Sequence, residues 1–552
     1  VSVPMSRSLH LGHRAPVLWL LLPFATGLTL AHASPRPLPE WAPVLGGFLS
    51  LALALLADRC GRPYLWTSTW SLGLIFLGLG YYEVRRERLP AWNPLPVREV
   101  VLTVKITREL APSADGVYRR QLGCVVAAPT HLKDLVGQPL HLNLRRPAGN
   151  DRWERGALIE VRGRLEPLAR QPSEPGFEEY LIDSGHNFRL GRGRFVRLVR
   201  EPGPYARLRA TIKARAGNSL VRGLDHHPTL GAALRAMLLG ERGEIGAEQK
   251  LLFVRSGTMH LFAISGLHIG VIAGVLYGGL RLIRLQRVGA LLVGVGLLGF
   301  YVDLIGGTPS ARRAWIMVTC VQVGYVWRSP SNPVSGLAWS ALIVLLLNLL
   351  ELFSAGFQMS YGIVTALLLY GLPLGERWQA RWRPWRDLPV VSLQPWQTWW
   401  ARRWGEITTV TALAVAATQV GLVSGVAIFG WFTPVTLIAN LLLIPLTSLA
   451  IMGGVVALLA GLLGVTMISL VFNHAAALLV ATMEAILHAL LVVPGAAVPG
   501  AFQPDIIGPT LGFVLLGLMI LGYERGWRGW GGSFWLPPGV LALALVTCLR
   551  IG

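Results

Sequence analysis

Charge is what this sequence has least of. Only 14% of its 552 residues are Asp, Glu, Lys or Arg, while 53% are apolar; soluble proteins carry about 25% charged residues. A deficit on that scale excludes a string of soluble domains and calls for one large membrane domain with a smaller water-facing part. Acidic residues are the scarcer kind: 29 Asp and Glu stand against 50 Lys and Arg, a formal charge of +21. That excludes an acidic disordered chain and leaves an anionic partner, phospholipid or nucleic acid. Lysine is nearly missing, with only Lys105, Lys133, Lys213 and Lys250, so the positive charge is arginine. The four cysteines, Cys60, Cys124, Cys320 and Cys548, are isolated, with no spacing that suits zinc. A Cys60–Cys124 disulfide stays open beside the reading of small apolar fillers. No Walker A loop, GxSxG elbow, HExxH or HxHxDH cluster occurs, and Asp225-His226-His227 is too compact for a metal site. No catalytic set, metal or cofactor is therefore expected.

What is present is hydrophobic length. Apolar runs lie at 17–31, 42–57 and 65–82, stop, and resume at 258–280, 288–304, 310–327, 335–350, 356–374, 406–428, 431–460, 466–493, 506–522 and 535–549. A helical span needs about 20 residues, or about 17 at the short end, so these runs predict a polytopic α-helical membrane protein of about 13 spans. Arg7 and Arg14 before a run ending Ala31-His32-Ala33 also resemble a cleavable signal; an uncleaved first span is preferred because further spans follow at once. With the N-terminus inside, the Arg-bearing short loops (Arg59 and Arg62; Arg281, Arg284 and Arg287; Arg328; Arg525 and Arg528) fall in the cytoplasm. So does the loop 376–404, whereas Arg85, Arg86 and Arg88 are discordant.

Four regions follow: N-terminal spans at 1–89, an extracytoplasmic β domain at 90–200, amphipathic interfacial segments at 201–255, and a channel-like membrane domain at 256–552. The β domain has strand-like runs at 97–107, 117–128, 139–144, 157–165 and 188–199, with a short helix at 178–184. Five strands in that length suit a small inserted barrel of OB type. A basic barrel of this kind binds single-stranded nucleic acid or lies on anionic headgroups. The segment 205–224 is expected on the membrane surface. The loop 376–404 holds Trp378, Trp382, Trp385, Trp396, Trp399, Trp400 and Trp404 among arginines, which reads as interfacial anchoring or as nucleic-acid stacking.

Polar chemistry inside the apolar half concentrates in two places. In FVRSGTMHLFAISGLHIG, two Ser-Gly pairs predict a broken helix, which survives at membrane depth only beside protein or a water-filled cavity. Gly266, Gly270, Gly274 and Gly278 then form a ridge suited to close helix packing. His260, Ser265 and His268 line a polar path or make interhelical hydrogen bonds. In GGTPSARRA, Gly306 and Gly307 allow a sharp break, Thr308 is a good N-cap, and Arg312 with Arg313 near a helix start suit a phosphate, or else snorkel to headgroups. Weaker candidates are Gln358 and Ser360 in GFQMSYG, and Asn440 in ANLLLIPL. Asp303, Glu351, Asn473, His474, Glu484 and His488 are further costly groups, expected mostly to pair with one another.

SGTMHLFAISGLHIG at 256–270 resembles the signature of the ComEC-type competence DNA-uptake channels. PSARRA at 309–314, GFQMSYG at 356–362 and ANLLLIPL at 439–446 follow in that family's order. EPGFEEYLIDSGH at 174–186 is similar to its soluble-domain stretch, with Glu174 in place of Asn, and ALRAMLLGERGEI at 233–245 to its amphipathic segment. The resemblance implies a multi-pass protein of the bacterial plasma membrane that passes single-stranded DNA inward during natural transformation. It also implies membrane lipids, an extracytoplasmic DNA receptor and a cytoplasmic ATPase motor as partners. Many members continue into a metallo-β-lactamase-like domain proposed as the nuclease. None is seen before Gly552, so the resemblance carries the pore, with a separate nuclease, and not an enzyme. The alternative is a membrane-embedded enzyme or small-solute transporter sharing the fold.

Overall fold

The computed structural model describes residues 15–34, 39, 41–86, 96–110, 117–145, 154–168, 177–327, 332–389, 392–529 and 532–551. Arg7, Arg14, Arg88, Arg328 and the Glu174-Pro175-Gly176 stretch lie outside them.

Three helices open the chain: α1 (Leu18–Ala33), α2 (Trp41–Arg59) and α3 (Pro63–Arg86). Next come strands β1 (Arg98–Glu109), β2 (Tyr118–Ala127), β3 (Pro139–Arg145) and β4 (Leu158–Pro167), helix α4 (Phe177–Asp183) and strand β5 (Phe188–Arg200). They close a barrel in the order β1-β2-β3-β5-β4, with β3 and β5 parallel and the other pairs antiparallel. The expected small five-stranded barrel is therefore present. Alternation explains it: Val100, Leu102, Val104 and Ile106 on β1 point inward against Leu140, Leu142, Leu144, Ile159, Val161 and Leu190, while charged residues point out.

The membrane bundle follows as α5 (Pro204–Leu220), α6 (Pro228–Leu239), α7 (Ala247–Arg255), α8 (Gly266–Leu282), α9 (Arg287–Leu304), α10 (Pro309–Val326) and α11 (Pro333–Leu347). After it come α12 (Ala355–Ala366), continued through a π-turn at Leu367–Gly371 into α13 (Leu372–Trp382), and α14 (Pro395–Phe429). The chain ends with β6 (Trp431–Phe432), α15 (Thr436–Leu462), α16 (Thr466–Leu491), β7 (Val498–Phe502), α17 (Ile507–Glu524), α18 (Leu536–Cys548) and β8 (Leu549–Ile551). Eight helical stretches among the described residues are long and apolar enough to cross a membrane: α2, Met259–Leu282, α9, Ala355–Trp382, α14, α15, α16 and α17. The chain is a polytopic membrane protein. Of the other expected spans, α1, α11 and α18 are shorter apolar helices. Helices α3 and α10 are long enough but fall short in hydropathy, α10 because it carries Arg312 and Arg313.

Two faces of the bundle can be traced. The barrel meets one of them, where Arg155 binds Asp303 at the end of α9 and α4 lies on Leu349–Phe353. The strands β6, β7 and β8 pair with one another beside the end of α14 and the start of α15. At the opposite, distal face Arg281 and Arg287 flank the Tyr325 ring at 5.4 and 5.3 Å; counted along the alternating helices, the α15–α16 turn falls on the same side.

Two expectations need correction. The segment 205–224 does not lie along a surface. Helix α5 runs beside α15, and Ser219 Oγ meets Ser469 Oγ at 3.2 Å near the distal turn, while Asn473 donates to the Ser219 carbonyl at 2.7 Å. A Cβ on Gly461 would overlap the Ser219 hydroxyl, so the two helices touch backbone to side chain. The loop 376–404 is mostly helix, because α13 (Leu372–Trp382) and α14 (Pro395–Phe429) extend into it from either side. The four cysteines are free.

His141 and His186 are buried in the barrel domain, and burial pushes both rings down to about 4. Unfolded, they titrate near 6.5, so the unfolded state binds more protons between those values. Barrel stability is therefore full above about pH 6.5 and falls as the pH drops toward 4, by on the order of 2 kcal/mol per ring. Hydrogen exchange of barrel peptides in the intact chain, corrected for intrinsic rates, checks this. Unchanged protection from pH 7 to 4 contradicts it.

Candidate functional site at the barrel–bundle junction

The junction is built by one carboxylate. Asp303 ends the apolar helix α9 and receives Arg155 of the barrel at 2.8 Å, Arg209 of α5 at 3.1 Å and the Tyr205 hydroxyl at 2.9 Å. Arg209 also donates to the Arg155 carbonyl at 3.2 Å. A half-buried carboxylate beside a membrane core needs such partners, since leaving it unpaired costs several kcal/mol. Asp303 was a visible oddity in sequence, but Arg155 and Arg209 lie 148 and 94 positions away, so no local pattern marks them.

Immediately after this clamp the backbone breaks as expected. Gly306 and Gly307 take φ of +93° and +60°, a region open to glycine at little cost. The Thr308 side chain accepts from the Ala311 amide at 3.4 Å, and Pro309 begins α10. Here the paired-arginine expectation divides. Arg312 is exposed, with no hydrogen bond or ion pair among the described residues. Arg155 and Arg108 are the cations that act on it, Asp303 and Glu351 the anions. Arg313 is 4% exposed; it donates to Glu351 at 2.7 Å and to the Gly356 carbonyl at 2.9 Å. Consecutive helical residues point about 100° apart, so both cannot serve one outer site. Arg313 is a structural residue.

The broken segment 256–265 is also present, with Gly257 at φ +70° and only a short 3-10 turn at Met259–Leu261. Its buried hydroxyls form a cluster that sequence reasoning missed. Ser256 Oγ meets Thr258 Oγ1 at 2.7 Å, and Thr436 Oγ1 donates to the Ser256 carbonyl at 3.3 Å and lies 2.8 Å from the Thr433 hydroxyl. Asn440, one turn beyond Thr436, is buried with an unpartnered Oδ1. His260 is exposed, and its Nδ1 lies 3.1 Å from the Gly257 carbonyl. Ser265 and His268 do share a face, but as a capping box that starts α8, with Ser265 Oγ 3.0 Å from His268 Nδ1. The Ser265 amide donates to that same Nδ1 at 3.4 Å, which leaves the ring proton on Nε2, buried and without a partner among the described residues.

Other candidates separate. Gln358 is exposed and donates to the Leu352 carbonyl at 3.3 Å. Ser360 is half-buried. The glycine ridge does not pack. A side chain on Gly270, Gly274 or Gly278 would meet nothing within 4 Å, and one on Gly266 only Ala314 at 4.0 Å. The reason is that α8 buries its other face, His268, Ile269, Ile272, Ala273, Tyr277 and Leu280. The costly groups do not pair with one another either: Glu351 binds Arg313, Glu484 accepts from Gln249, and His474 bonds the Leu470 carbonyl. Among the described residues no group of His, Cys, Asp or Glu could hold a metal ion.

A closed barrel clamped to a bundle of apolar helices defines a polytopic membrane protein with an inserted β domain. A family model described as competence protein matches residues 237–526, and the chain belongs to that family. It is 32% identical over 143 residues to ComE operon protein 3 of Bacillus subtilis (strain 168), covering 26% of this chain and 18% of that one. It is 27% identical over 272 residues to the uncharacterized protein YcaI of Escherichia coli (strain K12), covering 46% and 32%. The chain thus matches less than two thirds of the length of either relative. No solved structure matches it significantly.

Removing one partner of a buried pair is strongly destabilising. Arg313→Ala should therefore lower stability by about 3 kcal/mol, whereas Arg312→Ala should change it by less than about 0.5 kcal/mol. Melting of the two variants in detergent micelles tests this, and equal melting would refute the inward role of Arg313.

Proposed function

We propose that this chain is the channel that passes single-stranded DNA across the bacterial plasma membrane in natural transformation. Membership of the competence protein family and the relative named for a competence operon support the reading. Arg312 carries it: an exposed, unpartnered guanidinium at the start of a helix, suited to a phosphate in charge and geometry. In this reading the barrel stands outside. Part of its charge is neutralised locally, since Arg162 pairs with Glu99 and Arg189 with Glu166 and Glu178. The outward Arg192, Arg194 and Arg200 of β5 remain for the strand. The exposed His260 would face the strand on its way in, while the Ser265–His268 cap fixes the start of α8 beside it.

The shorter helices α1, α11 and α18 complete the crossings with α3 and α10. The chain itself is assigned no catalytic step. A DNA receptor outside, an ATPase motor in the cytoplasm and a nuclease are the partners the reading calls for, together with membrane lipids. At the distal face, a cleft of about 690 Å³ lined by Gln379, Arg383, Arg402, Trp404 and Glu406 is available to the emerging strand or to the motor.

The test follows labelled duplex DNA in a strain lacking the chain and in strains complemented with the native form or Arg312→Ala. Cytoplasmic label should appear only with the native chain. Arg312→Ala should reduce it roughly tenfold at unchanged protein level, and Arg312→Lys should restore most of it. Equal import with and without the chain overturns the proposal and leaves a membrane-embedded enzyme or a small-solute transporter as the reading to pursue.

A further inference from the structure

Helix α5 has an unusual position for its composition. Its first turns are tied to Asp303 at the barrel face through Tyr205 and Arg209. Its end lies at the α15–α16 turn at the distal face, where Arg222 donates to Thr466 at 3.3 Å and Asn473 donates to the Ser219 and Arg222 carbonyls. Seventeen residues rise about 25 Å, most of the roughly 30 Å hydrocarbon thickness. The helix therefore descends through the membrane although it is strongly basic.

Its charges fall into two sets. Those that face protein are paired: Arg209 with Asp303, and Lys213 with Glu241 at 3.5 Å, while Arg235 on the adjoining α6 holds Glu244 at 2.9 Å and the Gly217 carbonyl at 3.2 Å. The other set lies on the opposite face. Arg207, Thr211, Arg215 and Asn218 on α5 and Arg222, two residues past its end, are all exposed; the spacing of four, four and three places the first four in one stripe along the helix, with Arg222 at its foot. Arg207 has only the exposed Glu201 at 3.7 Å. Arg215 and Asn218 have no hydrogen bond or ion pair among the described residues. A guanidinium facing lipid at that depth costs from about 3 to more than 10 kcal/mol. Arg207 and Arg222 sit near the two ends, but Arg215 lies between them at depth and persists there only beside water, so we infer that this face borders an aqueous space.

We propose that the Arg207–Thr211–Arg215–Asn218–Arg222 face of α5 is a phosphate ladder that receives the translocating single strand below Arg312. This deepens the channel reading and rests on it. Rungs three or four residues apart are separated by about 4.5–6 Å along the helix, a step an extended phosphodiester chain can match. Arginines alternate with a hydroxyl and an amide donor, Thr211 and Asn218, without reading bases, which suits a strand of any sequence. The ladder also begins where the Arg155–Asp303–Arg209 clamp holds the barrel, so the outer cations and the inner stripe are continuous.

The test uses the full-length chain in phosphatidylcholine vesicles, with its four cysteines replaced by serine and Thr211→Cys or Asn218→Cys added. A cationic methanethiosulfonate reagent should label both positions, and single-stranded oligodeoxythymidine should slow the labelling roughly fivefold at low salt. In cells, Arg215→Gln should reduce import roughly tenfold at unchanged protein level, with Arg215→Lys retaining most of it. Failure of the polar reagent to label would put the face in lipid and overturn the ladder. Protection by added phosphatidylglycerol, and not by the oligonucleotide, would make it a lipid groove and overturn it equally. Normal import in Arg215→Gln, while deletion of the chain still abolishes import, would refute the ladder and leave the channel standing. Import that survives deletion refutes both.

Discussion

The structure hangs on the Asp303 carboxylate. A lone acid at the end of an apolar helix cannot stay unpaired beside hydrocarbon, and its partners come from two other parts of the chain: Arg155 from the barrel, Arg209 and Tyr205 from α5. One desolvation constraint thereby fixes where the barrel stands, where α5 begins and how the chain turns into Gly306-Gly307. It also sets the charge state of what lies next to it. Asp303 is already shared by Arg155, Arg209 and Tyr205, and Glu351 is held by Arg313, so among the described residues neither makes an ion pair with Arg312. The free cation at the junction is the consequence of a complete set of pairs around it.

The same accounting separates residues that look alike in sequence. Arg312 and Arg313 are neighbours, yet the helical turn sends one outward and the other into a buried pair. Ser265 and His268, three apart, meet as anticipated, and what they make is a helix cap whose second ring nitrogen remains unsatisfied. The glycines of α8 have the period of a packing ridge, but period alone does not say which side of a helix the partners occupy. Here the large side chains Ile269, Ile272 and Tyr277 decide it, and the glycines are left uncovered.

Much of the architecture was legible because it depends on local pattern. Alternating residues on Val100–Ile106 define a barrel strand, a run such as that of α15 defines a membrane helix, and Thr308-Pro309 after two glycines defines a break and a new start. The motif 256–270 marked the family before any coordinates. What stayed hidden depends on distance in sequence. Arg155 and Arg209 look like any surface arginine until Asp303 is beside them. The amphipathic character of α5 fits a helix lying on a membrane as well as one standing within it; only its contacts with Ser469 and Asn473 distinguish the two. The Trp-rich stretch after Gly375 reads as a loop because its charge and proline interrupt hydropathy, whereas helix continues through most of it.

Helix α14 has 35 residues, which makes it a rod about 52 Å long. Its outer end is fixed where Gly430 turns into the β6–β7 pairing and the Gly500 amide bonds the Gly430 carbonyl at 3.0 Å. A rod anchored at one end is a lever: a tilt of about 5° there displaces the far end, with Trp396, Trp399 and Trp400, by about 4–5 Å. Small rearrangements on the barrel side would thus reach the opposite surface enlarged, without any change inside the helix itself.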